Sequence, residues 1–183
     1  MSDDESLPPY SYVPGRFPHP LSDPAGHSFA ERSESVAPLD PNRWRESRHF
    51  CRALRLFDAG YYWEAHEAWE ALWLAAGRTG PDATALKALI KLAAAGVKAR
   101  AGNADGVRRH ARRAAELFHT ARNELGQHEG PAYWAGIDLA GLAAACTEIA
   151  SRPEDYCDAD PAAVKVVLPA RLSDMRQARD AAP

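Results

Sequence analysis

Five stretches of the chain repeat apolar residues at intervals of three and four, and each predicts a helix. In the first, Trp44, Phe50, Cys51, Leu54 and Phe57 follow the start signal Asp40-Pro41-Asn42 and stop at Gly60. The second, about residues 61–76, ends at Gly77 and the Gly80-Pro81 pair. The third, about 82–101, places Leu86, Leu89, Ile90, Ala93, Ala94 and Val97 on one face, with Lys87, Lys91 and Lys98 along its flank. The fourth, about 104–123, turns Val107, His110 or Ala111, Ala114, Phe118 and Ala121 inward and Arg108, Arg109, Arg112 and Arg113 outward. The fifth, about 138–150, buries Leu139, Leu142, Cys146 and Ile149 behind the cap Asp138. Connections this short join antiparallel neighbours. The expected fold is therefore all-α, a compact antiparallel bundle of about five main helices over residues 42–151. The segment 126–136, with Gly130-Pro131 at its middle, reads as a loop.

Both ends depart from this pattern. Residues 1–41 hold eight of the fourteen prolines, which excludes a helix or a central strand there. Tyr10, Tyr12, Phe17 and Phe29 give the segment more aromatic surface than a solvated tail carries. It reads as an extended, partly disordered arm that lies along the bundle or a neighbouring subunit over about residues 10–30. Residues 152–183 form an irregular tail broken by Pro153, Pro161 and Pro169, in which 164–168 can run extended over the bundle.

Composition narrows the function classes. The net charge of −3 gives no electrostatic reason to expect nucleic acid or an anionic membrane as partner. No run approaches the roughly 18 apolar residues that span a bilayer. Cys51, Cys146 and Cys157 are odd in number and lack the close pairing of zinc or redox motifs, so free thiols and a cytoplasmic location are expected.

The candidate chemistry lies in the second helix. Wound at about 100° per residue, Trp73, Tyr62 and Trp69 fall within about 60° on one side of His66 and Trp63 about 60° on the other. His66 is thus expected in the middle of an aromatic face, bordered by Glu70 and, at its edge, by Glu67. Glu64, Ala68 and Ala71 point the other way. An arc this wide predicts a helix sandwiched between neighbours, where His66 and Glu70 need polar partners.

The run from Leu56 to Glu70, with Phe57, Gly60 and Glu64-Ala65-His66-Glu67-Ala68-Trp69-Glu70, followed by Leu89-Ile90-Lys91-Leu92-Ala93 and Gly102-Asn103, resembles domain-of-unknown-function family 309 over about residues 44–125. The resemblance implies an all-helical compact bundle without an established activity, in a family that has carried a "predicted metal-dependent hydrolase" label.

Two readings of the cluster follow. In the first, His66 and Glu70, four residues apart on one helix face, ligate a divalent metal, while Glu67 activates a water as general base. The pattern departs from the zinc-peptidase H-E-x-x-H because Glu70 stands where the second histidine would be. A catalytic zinc takes three protein ligands, and His110, His49 and His119 are candidates for the third by residue type alone. Trp63, Trp69, Trp73 and Lys91 would line a pocket beside the cluster, which without any metal would make the chain a small-molecule-binding protein. In the second reading the cluster is structural: Glu70 or a backbone carbonyl orients His66, Lys91 neutralises Glu67 or Glu70, and the carboxylates accept from the indoles. The chain is then a non-catalytic interaction module, and a homo-oligomer fits either reading. The arginines of the fourth helix, with Arg100 and Lys98 nearby, read as a solvated face or a contact for an acidic partner. Nucleic acid is not expected there, because no aromatics interleave the charges.

Overall fold

The computed structural model describes residues 6–30, 35–126 and 132–173. Five α-helices dominate it: α1 (Arg48–Asp58), α2 (Tyr62–Ala75), α3 (Pro81–Arg100), α4 (Ala104–Glu124) and α5 (Leu139–Ser151), joined in sequence as packed antiparallel neighbours. The all-α architecture expected from the periodicity is the one found. Two 3₁₀ turns, Pro41–Glu46 and Pro153–Tyr156, and a two-residue hairpin, β1 (Tyr133–Trp134) with β2 (Ile137–Asp138), complete it.

The first predicted helix is split in two. Ser47 adopts extended backbone (φ −81°, ψ 99°), and its hydroxyl accepts from Phe50 N at 3.3 Å, so α1 begins only there. Trp44 sits in the 3₁₀ turn before it and is still buried, which is why it shared a hydrophobic repeat with Phe50 and Leu54. The described part of the predicted 126–136 loop is tighter than expected. Ala135 and Gly136 both have positive φ (48° and 77°), the geometry of a two-residue hairpin turn. The Trp44 ring fills the space beside Gly136, where an added Cβ would lie 2.8 Å from it. Gly130-Pro131 lies outside the described residues. Asp138 caps α5 as predicted, accepting from Ala140 N at 3.0 Å.

The helix enclosed by others is α3. Leu86, Leu89, Leu92, Ala95 and Ala99 are all fully buried, so it has no single inner face. Small side chains let its neighbours approach closely. The nearest approach is at Gly96, where a Cβ would stand 2.4 Å from the Tyr62 ring of α2.

The tail straps the far end of this unit. Tyr62 Oη accepts from Val167 N (2.9 Å) and Leu168 N (3.1 Å), and Asp58 accepts from Leu172 N (2.6 Å) and Ser173 N (2.9 Å). Residues 164–168 thereby run without regular structure over the α1–α2 corner, where the Lys165 carbonyl abuts Gly60.

The arm covers the back of α2. Glu64, placed away from the core by its helical phase, is only 8% exposed because the arm closes over it. Its carboxylate accepts from Ser11 Oγ (3.1 Å), Tyr12 N (2.9 Å) and His27 Nε2 (3.3 Å). Tyr61 donates its hydroxyl to Pro8 O at 2.8 Å, and Ser11 N donates to the tail at Ala163 O. The first five residues, where looseness was expected, lie outside the described residues.

Two substitutions probe these contacts. Gly96→Ala overpacks Tyr62 and is expected to cost about 2 kcal/mol, measured by chemical denaturation. Glu64→Ala strands the Ser11 and Tyr12 donors at a cost of about 1–3 kcal/mol, and limited proteolysis should then cut the arm before the helices.

Candidate functional site

The rotation of α2 decides what its polar residues do. Its buried side chains are Tyr62, Glu64, Ala65, Trp69 and Leu72. Leaving out Glu64, which the arm covers, this arc is centred about 80° from His66. His66 is consequently on the rim and not in the middle of the face, with its side chain 25% exposed and that of Glu67 37% exposed. The aromatics alone had drawn the expected face toward His66, whereas Ala65 and Leu72 carry the packing on the other side.

On this rim the structure brings His66, Glu67 and Glu70 together. One ring nitrogen of His66 and one oxygen of each carboxylate lie within 4.8 Å of one another. His66 Nδ1 is 3.2 Å from Glu67 Oε1. An ionised carboxylate only accepts, so that contact puts the proton on Nδ1 and leaves the Nε2 lone pair available. A carboxylate orienting an imidazole in this way is the arrangement that raises the ring's basicity at metal sites.

The other predicted pocket residues are spread over different surroundings. Trp69 is completely buried against Phe57, with ring centroids 5.7 Å apart. Trp63 meets Tyr12 and His19 of the arm edge-on, at 5.3 Å in each case. Trp73 is half-buried, with Lys87 Nζ 5.6 Å and the Arg78 guanidinium 5.7 Å from its ring centre. The buried N–H groups of Trp69 and Trp73 find no acceptor among the described residues, so Glu67 and Glu70 do not serve the indoles. Nor does Lys91 pair with either carboxylate among the described residues. The polar partners that a purely structural cluster needs are therefore missing apart from the His66–Glu67 bond.

Residues 50–110 match the family model described as Domain of unknown function (DUF309). Over that segment the chain is similar to this family. The matched segment runs from within α1 to within α4 and includes His66, Glu67, Glu70 and Lys91. No curated protein matches the chain significantly. Among the described residues, no helix is long and apolar enough to cross a membrane.

At the end of the matched DUF309 segment, His110 comes from α4 toward the same side of the domain. Burial, then the charges of Lys91, Arg109, Lys98 and His66, hold its pKa down to about 4. It is neutral at pH 7 and within electrostatic reach of His66, although it is outside the three-residue donor set, as are His49 and His119. Sequence reading had only its residue type to go on, because at the edge of the α4 apolar stripe His110 and Ala111 are interchangeable.

The remaining chemistry is quiet. Burial pushes the Cys146 thiol up to about 12, which removes it as a nucleophile. Arg108 pairs with Asp105 and Glu154 (2.9 Å each) and Arg113 with Glu116 (2.8 Å), around a shallow hollow on α4. Arg100 differs from the sequence reading: it is fully buried and does not belong to this strip.

The depressed His110 pKa has a pH signature. The unfolded chain takes up a proton near the ordinary histidine value of about 6.5, and the folded chain only near 4. Stability is therefore expected to fall as pH drops through this window, and His110→Ala should flatten the decline in denaturation midpoints.

Proposed function

We propose that the chain binds a divalent metal ion through His66 and Glu70, with Glu67 beside them, and uses it for hydrolysis. The observation that carries this reading is the convergence of one imidazole and two carboxylates within 4.8 Å on a solvent-facing rim. Ligand atoms around a tetrahedral zinc stand about 3.4 Å apart, so rotation of exposed side chains closes the set without moving the helix. An imidazole nitrogen and a carboxylate oxygen suit zinc, manganese or ferrous iron. A bound ion would supply Lewis acidity and a water acidified toward neutral pH. His66 and Glu70 would hold the ion, while Glu67 orients His66 and would take a proton from a water at the rim. The partial exposure of His66 and Glu67 would leave the ion open to a substrate from solvent.

Calorimetric titration of the metal-stripped protein with zinc and manganese tests the reading. One ion per chain is expected, with at least about tenfold weaker binding in Glu70→Gln and His66→Ala. Affinity should rise with pH as the imidazole loses its proton. Hydrolysis of ester and phosphoester panels should depend on the added metal and be lost in Glu67→Gln. No saturable binding, or equal binding by the variants, would return the cluster to a structural role and the chain to an interaction module.

A further inference from the structure

A second polar centre lies at the opposite end of α3 from its proline start. Arg100 is 1% exposed, yet its guanidinium makes a single hydrogen bond, from Nη2 to Ala162 O at 2.5 Å. Its Nε and Nη1 are buried without a partner among the described residues. Arg16 of the arm reaches the same turn of the tail and donates Nη1 to Asp160 O at 3.0 Å. The carboxylates nearby are already taken, since Lys165 pairs with both Asp158 and Asp160. Among the described residues, three cations thus face two carboxylates, and the two guanidiniums bond only to backbone carbonyls. An unpaired buried charge of this kind is strongly unfavourable unless something neutralises it.

The unsatisfied groups are all donors. Tyr62 Oη already accepts two amide hydrogens, and its own hydrogen has no acceptor among the described residues. Tyr62 and Arg100 are near enough for each to act on the other's charge. Burial, reinforced by the charge of Arg16, lowers the Arg100 pKa by more than the nearby carboxylates of Asp158 and Asp160 raise it. A water would accept here but would bring two hydrogens needing acceptors of their own. An oxyanion brings acceptors only, together with the missing negative charge, and a guanidinium fork matches its geometry.

We propose that Arg100, Arg16 and the Tyr62 hydroxyl form a binding site for a small oxyanion, a carboxylate or a phosphate, enclosed between α3, the arm and the tail. The anion neutralises the paired guanidiniums, and because Arg16 belongs to the arm and Ala162 to the tail, it holds both segments against the bundle. The site is separate from the metal-binding rim and does not depend on it.

Thermal unfolding of the full chain, at fixed pH and ionic strength, tests this with sodium phosphate, acetate or chloride. Phosphate or acetate, or both, should raise the midpoint saturably while chloride does not, and the comparison identifies the preferred anion. Arg100→Gln should abolish the response. Arg16→Gln, which leaves the bundle core intact, should weaken it at least tenfold in half-saturating concentration and supplies the test if Arg100→Gln does not fold. Equal response to all three salts, no response, or a response unchanged in Arg16→Gln would overturn the proposal.

Discussion

The stacking of Tyr62 on the bare backbone of Gly96 is the contact from which the rest of the arrangement follows. With no Cβ on α3 at that position, α2 comes close enough to be fixed in rotation as well as in distance. That rotation points Ala65, Trp69 and Leu72 inward and leaves His66, Glu67 and Glu70 at the rim. It also aims the Tyr62 hydroxyl at the tail, whose amides at 167 and 168 it receives. One close approach between two helices therefore sets the exposure of the candidate metal ligands and the path of the C-terminal segment.

Much of the helical layer was legible in the sequence because apolar spacing reports directly on helix faces. The fifth helix illustrates this: Leu139, Leu142, Cys146 and Ile149 are the buried positions that the repeat named. The site was legible to the extent that three residues within five positions of one helix must be neighbours. The position of His66 on the face was not, since a helical wheel gives relative angles and only the neighbouring helices decide where zero lies. Glu64 and Arg100 show the same limit from the other direction. Each is polar at a position that local pattern assigns to solvent, and each is buried by a segment more than fifty residues away in sequence. Irregular segments carry no periodicity, so nothing local announced what they would cover.

The two polar centres also differ in how their charges are met. Around Glu64 the arm delivers two hydroxyl or amide donors and an imidazole to one carboxylate, and the acceptor is well served. Around Arg100 the donors outnumber the acceptors that the described residues offer. The first contact closes with the chain's own groups, whereas among the described residues the second does not.

The bond from Ser11 N to Ala163 O joins the arm to the tail across nearly the whole length of the polypeptide. During synthesis from the N-terminus, residue 11 leaves the ribosome long before residue 163 exists, so the helices can assemble while the arm still has half of its seat missing. Joining of the two ends is then a late event of biogenesis: the arm can already cover Trp63 and Glu64, but its bonds to the tail at residues 160 and 163 form only once that segment has been made.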